Sequence, residues 1–117
     1  MNSVAAIREV CAGLAHSQET FPFGPGALVF KVGGKMYALT DIHAEPLTLS
    51  LKVRPERGEE LRAKYPAIVP GYHLNKRHWV TLNLGGVPAD LARTLLHESY
   101  ALVVGGLIRA QRAELEL

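Results

Sequence analysis

Residues 65–84 read YPAIVPGYHLNKRHWVTLNL, and this stretch decides the fold. Its second half alternates: Val80, Leu82 and Leu84 point one way and Trp79, Thr81 and Asn83 the other, the period of a half-buried strand. Before it stands Tyr72-His73-Leu74, and the dipeptide Asn75-Lys76 between the two runs predicts a hairpin of 72–74 with 77–84. Asn tolerates left-handed backbone, whereas Lys is a poor second turn residue and allows a wider loop. In the tight register Tyr72 lies opposite Trp79, and His73 opposite His78. Lys76 and Arg77 sit at the tip beside the chain's only tryptophan. A basic, aromatic hairpin of this kind is a surface for binding.

Upstream, residues 55–65 read as a short helix. Pro55 suits the first helical position, Glu56, Glu59 and Glu60 the early turns, and Arg62 and Lys64 the last turn. These charges satisfy the helix itself, so Arg57, Arg62 and Lys64 are not counted as ligand groups. Residues 47–53 give the cleanest alternation in the chain, with Leu47, Leu49, Leu51 and Val53 inward and Thr48, Ser50 and Lys52 outward. Residues 27–32 and 35–41 flank Gly33-Gly34, the composition of a two-residue hairpin turn. That register pairs Val32 with Lys35, Phe30 with Tyr37 and Leu28 with Leu39 on the core face. It pairs Lys31 with Met36 and Val29 with Ala38 on the more open face.

The loop FPFGPG at 21–26 cannot be a regular element, and its two phenylalanines are expected to plug the edge of the core. Residues 3–14 form the first helix, with Val4, Ile7, Val10, Cys11 and Leu14 on one face and Ser3 or Asn2 as cap. Cys11 on that stripe reads as a small core residue. Downstream, Gly85-Gly86 end the alternating strand and Pro88 opens the last helix. That helix buries Leu91, Leu95, Leu96, Tyr100, Leu102 and Val103 and ends near Gly105-Gly106, and the tail can resume as helix.

The 117 residues thus make a single domain, 1–117, in the order α-β-β-β-α-β-β-α. The fold class is α+β: a two-layer arrangement in which helices cover one face of an antiparallel five-stranded sheet. No apolar run reaches the roughly 20 residues of a membrane span. The N-terminus has no basic n-region, and Arg8 and Glu9 interrupt its apolar run, so no signal peptide is expected. A single cysteine fits a reducing cytoplasm.

The net charge of +2 says little, but its distribution says more. Between Lys52 and Trp79 seven basic residues (Lys52, Arg54, Arg57, Arg62, Lys64, Lys76, Arg77) meet three acids (Glu56, Glu59, Glu60), a local excess of four. On the uncovered sheet face the pairing gathers Lys31, Lys52, Tyr72, Thr81 and Trp79, with His73, Asn75, Lys76, Arg77 and His78 at the hairpin end. Cations beside flat aromatics suit nucleic acid: charge for phosphates, π-faces for bases. The same residues also fit a plain solvated sheet face whose Trp and Tyr cover their neighbours, and the alternative function is a chaperone-like module that takes an acidic protein partner or a second copy. His73 and His78 supply two ligands where zinc takes three or four, and no Cys, Asp or Glu stands near, so metal handling ranks last. Phosphate-loop, nucleophile-elbow and His-Glu-x-x-His patterns are absent, so no enzyme and no cofactor is expected.

The runs PFGPGALVFKVGGKMYAL (22–39), LSLKVRPERGEELRAKYPAIVPGYHLNKRHWVTLNL (49–84) and SYALVV (99–104) resemble the MmcQ/YjbR family of small bacterial proteins. PGYHLNKRHW is the most specific part. The resemblance implies a two-layer α+β fold similar to secretion chaperones and frataxin-like sheets, and a role in DNA binding. It brings no catalytic residues. It places the binding positions at Lys52, Tyr72, His73, Asn75, Lys76, His78 and Trp79. Frataxin-type iron binding uses an acidic surface, which this basic chain lacks.

Overall fold

A computed structural model describes all residues, 1–117. The helix α1 spans Val4–Ala12, and Ser3 caps it, its hydroxyl accepting from the Ala6 amide. Six strands follow: β1 Gln18–Thr20, β2 Ala27–Val32, β3 Lys35–Asp41, β4 Thr48–Lys52, then, beyond helix α2 (Pro55–Lys64), β5 Ile68–Pro70 and β6 Trp79–Asn83. A 3-10 turn, Leu84–Gly86, leads into α3 (Ala89–Gly105), and α4 (Arg109–Glu114) closes the chain. The sheet order is β1-β2-β3-β4-β6-β5, antiparallel throughout.

The sheet has six strands, not five. The sixth, Gln18–Thr20, is three polar residues with no apolar alternation, so only its pairing with β2 makes it a strand. The last hairpin also differs. Residues 72–74 are not a strand; the partner of β6 is Ile68–Pro70, with Ile68 opposite Leu82 and Pro70 opposite Val80. Gly71, not Tyr72, meets Trp79, donating its amide to the Trp79 carbonyl at 2.8 Å. His73 and His78 therefore share one long loop rather than facing each other across strands.

The register around Gly33-Gly34 holds near the turn, where Val32 meets Lys35 and Lys31 meets Met36. A bulge between Phe30 and Lys31 then lets β3 run one residue ahead, and beyond it Phe30 meets Ala38, Val29 meets Leu39 and Leu28 meets Thr40. Tyr37 is the extra residue. Ala38 joins the core and Leu39 turns to the opposite face, the reverse of the expected pairing.

The helices cover one face. The core there holds Leu28, Phe30, Val32, Tyr37, Leu49, Leu51, Val80 and Leu82 from the sheet, Ile7 and Cys11 from α1, Leu61 from α2, and Ala92, Leu95, Leu96 and Val103 from α3. At the bulge the β3–β4 ladder stops after Ala38↔Leu51 and Leu39↔Ser50. Ser99 of α3 spans the gap. Its fully buried hydroxyl accepts from the Lys52 amide at 2.8 Å and donates to the Tyr37 carbonyl at 2.6 Å.

Cys11 lies beside the Tyr37 hydroxyl, which also bonds Ser17. Burial pushes the Cys11 thiol up to about 11, with Glu19 adding to the shift and the Tyr37 hydrogen bond opposing it. Alkylation by iodoacetamide at pH 8 is therefore expected to run about 100-fold slower in the folded protein than in urea, since the thiolate is the reactive form. The native state holds the proton more tightly than the unfolded chain. This contribution to stability is complete below pH 9 and is lost as pH rises toward 11. Equal alkylation rates in both states would contradict the buried placement. No helix is long and apolar enough to cross a membrane.

Candidate functional site

The face away from the helices is not a bare sheet. Two loops fold over it: residues 21–26, between β1 and β2, and residues 71–78, between β5 and β6. Under them Val29, Ser50 and Thr81 are buried on that face. The Ser50 and Thr81 hydroxyls bond each other at 2.8 Å, and Thr81 also accepts the Tyr72 amide at 3.0 Å. A groove of about 380 Å³ lies between the loops, lined by Phe23 from the first, Tyr72 and His73 from the second, and Asp41, Ser50 and Thr81 from the sheet.

Loop 71–78 is held by its own polar groups. Asn75 Oδ1 accepts from the Arg77 and His78 amides at 2.9 and 3.2 Å. Lys76 Nζ donates to the Gly71 carbonyl at 3.2 Å, and the Val53 amide donates to the His78 carbonyl at 2.8 Å. His73 takes a left-handed conformation, φ 59°, and its ring lies against that of Tyr72 with centroids 4.0 Å apart. The loop is thus pre-formed, with Tyr72, His73, Lys76, Arg77 and His78 exposed.

The residues expected to form the site divide into three places. Tyr72, His73, Asn75, Lys76, Arg77 and His78 share the loop. Lys52 and Trp79 are cross-strand partners at the end of β4 and β6, and Trp79 is half-buried rather than fully presented to solvent. Lys31 is apart, opposite Gln18 and Met36, with β3 and β4 between its strand and β6. Phe23 was missed. Phe21 and Phe23 do not plug the core edge; Phe23 is 72% exposed, as Tyr72 is at 69%. The prolines and glycines around it mark an irregular loop but do not say what the ring faces.

Three ion pairs form, and they leave most of the basic residues free on both sides of the sheet. The ion pairs Arg8–Glu19 at 3.1 Å, Arg57–Glu98 at 3.6 Å and Arg93–Asp90 at 3.8 Å all involve helix residues. None of Lys31, Lys52, Lys76 and Arg77 enters one. Between Glu60 and Asp90 the chain carries no acidic residue. A larger hollow of about 670 Å³ lies between α3 and the β4–α2 junction, lined by Lys52, Arg54 and Arg57; Glu98 answers Arg57 there, and no aromatic ring lines it. No cation lines the groove between the loops, but it is the better candidate because exposed Phe23 and Tyr72 line it and Lys76 and Arg77 follow Tyr72 on the same loop.

A family model described as YjbR matches residues 12–102. YbdF of Escherichia coli O157:H7 is 40% identical over 91 residues, covering 76% of this chain and 74% of its own length. YjbR of Escherichia coli K12 is 27% identical over 111 residues, 94% of each chain. Among solved structures, a Deinococcus radiodurans protein with a DUF419 domain superposes with a TM-score of 0.94 at 57% identity, over 100% of this chain and 90% of the other. A Pseudomonas syringae protein superposes with a TM-score of 0.72 at 28% identity, over 86% and 97%.

Proposed function

The chain belongs to the YjbR family, and from that premise we propose that it is a non-catalytic module that binds DNA on the open face of its sheet. The observation that carries this reading is loop 71–78. It is rigidly hydrogen-bonded, exposes Lys76 and Arg77 without an ion-pair partner, and sets Tyr72 beside them. Pre-formed cations cost little ordering on binding, and phosphate contacts release counterions. Lys52 and Trp79 extend the basic, aromatic surface along the strand end.

Binding to a labelled oligonucleotide is expected to weaken steeply with salt. Arg77→Ala is expected to lower the slope of log K against log salt by about 0.7–0.9, the share of one phosphate contact. Anisotropy titrations from low to moderate salt measure this. A slope near zero, or no binding at low salt, would falsify the reading.

Exposed Phe23, Val69 and Tyr72 favour a second reading, a chaperone-like module that captures a protein. Such a partner would have to sit on the face. The edges are poor templates, since β1 and β5 are three residues each and β5 ends in Pro70. Retention of a protein but no nucleic acid on the immobilised chain would move the balance to this reading.

A further inference from the structure

We infer that the groove between the two loops takes one unpaired base of single-stranded DNA, held between Phe23 and Tyr72. The inference rests on the DNA-binding reading and names the strand state and the groove it uses. The groove of about 380 Å³ falls in the range of roughly 300–1,000 Å³ of small-ligand sites, room for a nucleoside rather than for a base pair with its two backbones. Phe23 and Tyr72 line it while remaining largely exposed, so each offers a ring face at little desolvation cost. In a duplex the bases' faces are covered by their neighbours, and only an unstacked base can use such rings.

Charge fixes the orientation. Asp41 lines the groove, and its Oδ1 accepts from the His43 amide at 2.9 Å, which leaves acceptor capacity on the carboxylate. A phosphate inside the groove would face that carboxylate. Outside it, Lys76 and Arg77 stand on the same loop as Tyr72 with no acid near them in sequence. The backbone therefore follows the cationic rim and the base enters. A carboxylate accepts from an exocyclic amino group, as it does from cytosine N4, and thymine has none. The lining hydroxyls of Ser50 and Thr81 are small enough to leave the ring its space.

The test is fluorescence anisotropy at low salt with four labelled probes of one length: oligo(dC), oligo(dT), an abasic strand and a duplex. Oligo(dC) is expected to bind about tenfold tighter than the abasic strand or the duplex, and tighter than oligo(dT). Phe23→Ala and Tyr72→Ala are each expected to weaken oligo(dC) binding by about tenfold, the usual share of one stacked base, and to weaken duplex binding by much less. Tyr72→Phe keeps a ring and should keep the affinity. Circular dichroism confirms folding, which these exposed positions should not disturb. Equal binding of the abasic strand, or indifference to Phe23→Ala, overturns the base groove while DNA binding on the open face stands. Absence of binding to every probe overturns both.

Discussion

Ser99→Ala is expected to destabilise the protein by about 2–4 kcal/mol, the cost of leaving two buried backbone groups unpaired. The side chain is 0% exposed and its hydroxyl is both donor and acceptor, to the Tyr37 carbonyl and from the Lys52 amide. These two groups stand one step beyond the last β3–β4 pair, where the bulge at Tyr37 has opened the ladder. Alanine fills nearly the same volume, so little of the loss comes from packing. Equilibrium urea unfolding measures it directly, and the melting temperature should fall by about 10 °C for a domain of this size. A change below about 0.5 kcal/mol would mean that the two strands close over the gap without the hydroxyl.

Gly71→Ala carries the second large effect. A Cβ at this position would stand 2.7 Å from the Trp79 Cβ and 3.1 Å from both the Leu74 Cβ and the Trp79 carbonyl oxygen. None of these is the free end of a flexible side chain, so the loop itself must move. The Gly71–Trp79 hydrogen bond and the Lys76 contact to the Gly71 carbonyl would be lost with it. Overpacking of this kind costs about 1–3 kcal/mol. Because Tyr72, Lys76 and Arg77 hang on this loop, affinity for single-stranded DNA is expected to drop about tenfold, equivalent to about 1.4 kcal/mol. Gly105→Ala is the control. Nothing lies within 4 Å of its added Cβ, it closes α3, and it should leave binding unchanged. Unaltered stability and affinity in Gly71→Ala would show that the loop tolerates displacement and is not pre-formed.

The layered plan was legible because the alternations at 47–53 and 79–84 and the helical stripes at 3–14 and 88–104 each mark one buried side, and all of them agree. What stayed hidden was non-local. Gln18–Thr20 has no pattern of its own and becomes a strand only by pairing with β2. The bulge at Tyr37 leaves no mark in composition, because Tyr37 and Ala38 are both acceptable core residues. The partner of β6 was misread because Tyr72-His73-Leu74 looks more strand-like than Ile68-Val69-Pro70, while Pro70 in fact marks a strand's end on an outer edge. In the candidate site, the cations and Tyr72 were readable from residue type. Phe23 was not, since its neighbour across the groove is about fifty residues away and only the fold brings the two loops together.

The seam between β3 and β4, two residue pairs long, joins the early half of the sheet to the late half, and its missing rung is supplied from near the chain's end. A single hydroxyl on α3 thus couples the β2–β3 half of the sheet to the β4–β6 half, and native-state hydrogen exchange at the Lys52 amide would read any parting of the seam.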